Sequence, residues 1–264
     1  MKKVYIDRDI NITEGKRAEK LISEHNDKKY LIKDIGIVKV DASRWKEAQA
    51  YERKTWCDSA GKTMSSDRNE DHEKNFGAYD ILNILLPNTP LNVIELGCGP
   101  FTNLRLILSK LFKTINKIDL LDPLINDYVK YTDNCTYKNG NLNGLSVNLI
   151  NSSIEEFLTL QVYDMIVMVN VIEHCYDVDI IFKRILQMLS TNGIFVFHDK
   201  FLKEENINEI HDRYYDSGHP LKLTYKYIKN ILDLNFVTIY NNIYTDEHNN
   251  ECVYKILKKK KYEK

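Results

Sequence analysis

None of the five cysteines (Cys57, Cys98, Cys135, Cys175, Cys252) stands in a C-x-x-C spacing. That absence argues against a zinc site and a disulfide framework, and points to a reducing, cytoplasmic setting. No apolar run approaches the ~18 residues of a membrane-spanning helix. The first residues, Met1-Lys2-Lys3-Val4-Tyr5-Ile6-Asp7, lack the apolar core of a signal peptide. Neither sign of charge dominates, with 37 Lys and Arg against 38 Asp and Glu. There is thus no global attraction to nucleic acid or anionic lipid. A carboxylate cluster with metal-ligand spacing is missing too, so no metal is expected. What remains is a chain of 264 residues, long enough to bury a real core. At roughly 100–200 residues per domain it makes one domain and an extension.

The informative stretch runs from Leu91 to Asn103. An apolar run, Val93 to Leu96, ends in Gly97 and Gly99, and Leu104, Ile107, Leu108 and Leu111 then follow at helical spacing. Strand, glycine turn and helix leave the helix N-terminus and its unpaired N–H groups facing a ligand. Two ligand classes use such a turn. A dinucleotide wants G-x-G-x-x-G, with its pyrophosphate on the helix N-terminus; here Thr102 stands where the third glycine belongs. S-adenosylmethionine has no pyrophosphate, and its loop reads acidic-x-G-x-G. Glu95 is placed to act on the methionine ammonium directly or through the loop. Glu95-Leu96-Gly97-Cys98-Gly99 resembles motif I of the class I S-adenosylmethionine-dependent methyltransferases.

Upstream, Tyr30 to Ile32 and Gly36 to Val40 read as short strands without evident chemistry. Asp41 or Ser43 caps a helix in which Trp45, Gln49, Glu52 and Trp56 share one face. That face either packs on the domain or forms a lid with aromatic walls and polar hooks. A second helix carries His72, Phe76, Tyr79, Asn83 and Leu86 and ends at Pro87-Asn88-Thr89-Pro90. His72 reads as a packed or surface histidine. Residues 1–90 form a mostly helical extension and 91–264 the cofactor-binding domain.

Downstream, Ile115 to Leu121 reads as a second strand ending at Asp122-Pro123. Asp122 lies 23 residues past Gly99, near the ~20-residue spacing at which an acid reaches a ribose; its alternative role is a helix N-cap. Asp119 is a rival acid inside the strand. A third strand, Val147 to Ile150, leads to Ser152, Ser153 and Ile154, which either meet an adenine or cap a helix beginning at Ile154. A fourth, near-continuously apolar strand, Tyr163 to Asn170, suits a central parallel position. It runs into Val171-Ile172-Glu173-His174, which resembles the Asn/His-x-x-Glu-His segment of many small-molecule class I methyltransferases. Arg44 to Glu52 is similar to an N-terminal element of some bacterial members.

The resemblance implies an α/β, Rossmann-like fold with a seven-stranded sheet of order 3-2-1-4-5-7-6 and helices on both faces. It implies S-adenosylmethionine as cofactor, with S-adenosylhomocysteine as product. The cofactor is expected against Glu95, Gly97, Cys98, Gly99, Asn103, Asp122, Pro123, Ser153, Ile154, Asn170 and Val171. His174 is one candidate general base; alternatively Glu173 and His174 hold the loop and the cofactor's methionine end. His198 with Asp199, at the end of a fifth strand from Ile194 to Phe197, is a second candidate base. The acceptor is expected against Trp45, Gln49, Trp56, Tyr79, Arg213 and His219, the last two in a long charged segment from Phe201 to Leu223. Lys200, Arg213 and Lys222 either meet an anionic acceptor or form a solvated charged face. Phe236 to Tyr240 and Cys252 to Leu257 close the sheet around a polar hairpin. The expected activity is O-methylation of a small polar molecule such as a sugar, nucleotide sugar or phosphorylated metabolite, as in surface-glycan or capsule-polysaccharide modification, by a monomer or homodimer. Rivals are N- or C-methylation, a protein or RNA acceptor, a nucleotide-dependent oxidoreductase, and a non-catalytic cofactor-binding protein.

Overall fold

A computed structural model describes residues 30–33, 36–58, 60–64, 69–203 and 217–260. Its centre is a seven-stranded sheet. The strands are β3 (Leu91–Leu96), β4 (Ile115–Leu121), β7 (Asn148–Ile150), β8 (Tyr163–Val169), β9 (Leu189–Phe201), β11 (Phe236–Thr245) and β12 (Glu251–Lys259). They lie in the order β7-β4-β3-β8-β9-β12-β11. Counted along the chain this is 3-2-1-4-5-7-6, as expected. Strands β3, β4, β7, β8 and β9 run parallel, and β12 is antiparallel to both neighbours. Helices cover both faces, so β8 is apolar nearly throughout rather than alternating.

One core packs the sheet against α6 (Val178–Met188) and α7 (Tyr225–Asn235). In α6 the buried residues Val178, Ile181, Phe182, Ile185 and Met188 recur at helical spacing, and Asp177 caps the N-terminus by accepting from Ile180 N at 3.1 Å. The other core packs the opposite face against α3 (Tyr79–Leu85), α4 (Leu104–Lys110), α5 (Ile125–Tyr131) and Phe76, which follows α2 (Glu70–Asn75).

Several boundaries differ from the sequence reading. The expected second helix is two, α2 and α3, because Phe76 is extended and Gly77-Ala78 break the run between them. No helix starts at Ile154; Ser153 closes only a turn, its Oγ accepting from Glu156 N at 3.2 Å. The polar hairpin is mostly strand, with β11 reaching Thr245, and only 246–250 turn. Asp246 there accepts from the N–H groups of His248 and Asn250.

The two upstream strands, β1 (Tyr30–Lys33) and β2 (Gly36–Val40), form a small sheet with β10 (Lys222–Leu223). Gly36 (φ +116°) lies so close to Lys222 O that a Cβ would sit 1.9 Å from it. Val40 N donates to Tyr176 O at 3.0 Å. This sheet anchors the segment entering α7 beside the C-terminal ends of β8 and β9. It is followed by α1 (Ala42–Arg53), whose N-cap is Asp41, and by a π-turn at Lys54–Asp58.

Candidate active site

The glycine turn sits at the C-terminal end of β3, in the crevice where open α/β sheets take their ligands. Gly97 (φ +66°) is pressed against Val171, which leaves β8. Gly99 (φ +53°) faces open space: a Cβ there would meet no described atom within 4 Å. Glu95 is buried. Its carboxylate accepts from Asn103 N at 3.0 Å and Leu104 N at 3.1 Å, and from the Thr102 hydroxyl. Its carboxylate thus holds the backbone at the start of α4. Burial pushes its pKa up to about 7 against these hydrogen bonds.

Asp122 is buried beside the turn and braces its backbone; it does not cap α5, whose N-cap is Leu124 and carries no side-chain bond. Oδ1 accepts from Leu124 N at 2.8 Å, and Oδ2 from Gly99 N at 3.1 Å. Each carboxylate oxygen keeps a free lone pair for a ligand hydroxyl. Burial raises its pKa to about 6, so it is mostly ionised at neutral pH. Asn170 has a left-handed backbone (φ +57°), and its buried Oδ1 has no hydrogen-bond partner. An orphaned acceptor on the residue before Val171, which packs on Gly97, suits a cationic donor such as the cofactor's ammonium. The open face at Gly99, the spare lone pairs of Asp122 and this acceptor fit S-adenosylmethionine. Pro123 lies next to Asp122, its carbonyl taken by Asn151 Nδ2 at 2.6 Å, and Ile154 is buried beyond it. Asn103 holds Asn69 through its side chain at 2.7 Å. Cys98 turns away into the second core, its Sγ 3.6 Å from Tyr137 Oη, so only its backbone faces the turn.

The second half of the site is assembled from distant segments. The 3₁₀ turn Ile172–His174 follows Val171. Asp199, at the end of β9, accepts from Val171 N at 3.2 Å, Ile172 N at 2.8 Å and Lys200 N at 2.9 Å. Burial, then the nearby Glu173, lifts its pKa to about 7. From the other side α1 clamps the turn: Trp45 Nε1 and Gln49 Nε2 both donate to His174 O at 3.1 Å. Trp45 also meets Tyr176 edge-on, with ring centroids 5.2 Å apart. Glu52 is fixed by Trp56 Nε1 at 2.9 Å and points its Oε1 at His174 Nδ1, 3.8 Å away. His219 lies edge-to-face on His174 at 4.5 Å, and its Nε2 is 3.6 Å from Glu173 Oε1. His174 is held below its usual pKa by burial, then by His219, and so is neutral. A cavity of about 590 Å³ opens beside this cluster, bounded by Glu173, His219, Lys200, Lys222 and the 246–250 turn.

The pairing of His198 with Asp199 as a base is corrected. Adjacent strand residues point to opposite faces. Asp199 turns to the Ile172–His174 turn, while His198 is fully buried on the other side, its ring tilted against that of Tyr254 and hydrogen-bonded to Tyr244 Oη at 2.9 Å. Tyr79 belongs to that aromatic group too, bonded to His72 Nε2 at 2.9 Å. Like Trp56 it packs on the second core, whereas Trp45 packs on the first. Arg213 lies outside the described residues. Glu52 was visible in the sequence only as one position on a helix face.

The strand order and the glycine turn after the central strand define a class I methyltransferase fold. A family model described as a methyltransferase domain matches residues 70–234, and the chain belongs to that family. Over 104 residues the chain is 27% identical to a ubiquinone biosynthesis O-methyltransferase of Rickettsia canadensis; the match spans 39% of this chain and 40% of that protein. The fold is similar to N-methyltransferase NodS of Bradyrhizobium japonicum bound to S-adenosylhomocysteine, with TM-score 0.55, 15% identity and coverage of 81% and 99% of the two chains. It is also similar to magnesium protoporphyrin IX methyltransferase of Synechocystis with bound S-adenosylmethionine, with TM-score 0.50, 12% identity and coverage of 81% and 93%. No helix among the described residues is long and apolar enough to cross a membrane.

Proposed function

We propose that this protein transfers the methyl group of S-adenosylmethionine to an oxygen of a small polar acceptor, such as a sugar, a nucleotide sugar or a phosphorylated metabolite. One observation carries the reading: Glu52 and His174 meet Glu173 and His219, the last two of which line the cavity, and His174 lies three residues along from Val171, which packs on Gly97. A nitrogen acceptor is nucleophilic once neutral, whereas a hydroxyl must lose its proton. A cluster of carboxylates and imidazoles beside the cofactor turn suits the second case. Lys200 and Lys222 in the same cavity suit an anionic group on the acceptor.

When bound, the cofactor supplies a methyl group on a sulfonium, whose displacement calls mainly for alignment and exclusion of water. This chain's residues provide that setting. Glu95 fixes the N-terminus of α4, Asp122 orients the ribose, and Asn170 Oδ1 accepts from the ammonium. Asp199 holds the backbone of Val171 and Ile172 and so sets the turn carrying Glu173 and His174. Trp45 and Gln49 hold that turn from α1. The acceptor hydroxyl is deprotonated at the cluster around His174.

The test begins with calorimetric titration of S-adenosylhomocysteine, then a screen of hydroxylated metabolites for methyl acceptance by mass spectrometry. A methyl ether product, lost in His174→Ala with cofactor affinity kept, supports the reading. Methylation at nitrogen or carbon overturns the acceptor class. Failure to bind S-adenosylhomocysteine overturns the whole assignment.

A further inference from the structure

We propose that Glu52, His174 and His219 form a binding site for one divalent first-row transition-metal cation, Zn²⁺ or a close relative. The inference rests on the proposed function only in the use made of the ion, as an anchor for an acceptor oxygen; the site itself stands on its geometry. Among the described residues these three side chains each bring one ligand atom to within 4.8 Å of the others. They come from three separate places: the last turn of α1, the turn after β8, and the segment leading to β10. Two imidazoles with one carboxylate suit Zn²⁺ better than Mg²⁺ or Ca²⁺, which prefer oxygen throughout.

The distances favour a shared ion over direct pairing. His174 Nδ1 and Glu52 Oε1 are 3.8 Å apart, too long for a hydrogen bond, and Nδ1 is buried without a hydrogen-bond partner. Ligand atoms around an ion at ~2.1 Å stand roughly 3.4 Å apart in tetrahedral geometry, so small side-chain rotations close the set. The backbone is already drawn in. A Cβ on Gly218 would lie 2.5 Å from Glu52 Oε1, so the 217–223 segment packs directly on the carboxylate. Trp56 Nε1 holds the other oxygen of Glu52. Glu173 Oε1 faces Nε2 of both histidines, at 3.9 and 3.6 Å. At those lengths it makes no hydrogen bond to either ring and contributes negative charge beside the three ligand atoms. Three protein ligands leave a coordination position, and Glu173 and His219 place it on the wall of the 590 Å³ cavity.

The test uses the full chain, stripped with a chelator. Zn²⁺ is titrated calorimetrically, and Co²⁺ is added as a spectroscopic probe. The expected result is one ion per chain, with visible Co²⁺ bands typical of imidazole and carboxylate ligands. Glu52→Gln and His219→Ala should each weaken binding by at least ~10-fold, since losing even an outer partner of a ligand costs 10–100-fold. Both variants should still bind S-adenosylhomocysteine, because neither residue belongs to the cofactor cradle, and that titration shows that they have folded. Cofactor binding without stoichiometric Zn²⁺ binding overturns the metal site and leaves the methyltransfer reading standing. Zn²⁺ binding that is equally tight in both variants also overturns it, by placing the ion elsewhere. Stoichiometric binding at these residues with no methyl acceptor found would support the site while the acceptor reading failed.

Discussion

A Cβ on Gly97 would lie 2.5 Å from Val171 Cγ1, and the backbone there has φ +66°. Two separate penalties therefore act on one residue, a steric clash and left-handed strain. Gly97→Ala is expected to destabilise the fold by about 1–3 kcal/mol, read from the urea midpoint at constant slope. Adding Val171→Ala should remove the clash and leave the strain. The double variant then falls short of the sum of the two single losses; strict additivity would show that the contact carries nothing. Asp122 sets a different expectation. Asp122→Ala removes the acceptor of two backbone N–H groups and the proposed ribose contact together. Affinity for S-adenosylhomocysteine should fall by about 2 kcal/mol, roughly 30-fold, the scale of a hydrogen bond to a charged group. Unchanged affinity would leave Asp122 as a brace of the glycine turn alone.

At the scale of elements, α1 is joined to the site by two donors on one carbonyl, that of His174. Trp45→Phe and Gln49→Ala each remove one of them, at about 1 kcal/mol apiece. If the helix positions the His174 turn for the acceptor, acceptor KM rises while affinity for S-adenosylhomocysteine holds. A matched loss in both would mean that α1 supports the domain as a whole. The helix face carrying Trp45, Gln49, Glu52 and Trp56 was legible from its spacing, and so were the sheet and the glycine turn, because these are local patterns of period 3.6 and 2. What the face touches was not legible. Gln49 and His174 are 125 residues apart, and no local pattern records such a meeting. The Glu52–His174–His219 group was missed for the same reason, as no two of its members share an element. His198 and Asp199 failed differently. The alternation that separates them is itself local, but adjacency in sequence suggested a pair that the pleat forbids. The role of β2 depended on Lys222 and Leu223, far along the chain, as its partners.

Across the whole molecule, buried ionisable groups on two layers pull stability in opposite directions with pH. His72 on α2 is bonded to Tyr254 of β12 and Tyr79 of α3, and the His198 ring lies tilted against the same Tyr254, so this aromatic group ties the N-terminal helices to the closing strands. Burial, then Arg105, lowers the His72 pKa to about 4. The folded protein thus resists protonation that the unfolded chain accepts near 6.5, and stability is lost as pH falls from there toward 4. Glu95 runs the other way. Its folded pKa of about 7 lies above the unfolded value near 4.5, so its contribution is complete below 4.5 and is lost as pH rises through 7. Each effect amounts to at most ~3 kcal/mol, and between pH 4.5 and 6.5 the two oppose each other. Asp122, also raised by burial, is common to every variant and cancels in comparisons between them. His72→Gln keeps a donor and an acceptor for the two tyrosines but does not titrate, so its stability relative to wild type should grow as pH falls through this window. Glu95→Gln should do the reverse, gaining on wild type as pH rises. Urea unfolding of the three proteins at several pH values checks both slopes. Parallel curves would mean that neither side chain carries the burial the fold assigns to it, and that the hold on α4 and the link from α2 to the sheet are looser than their geometry implies.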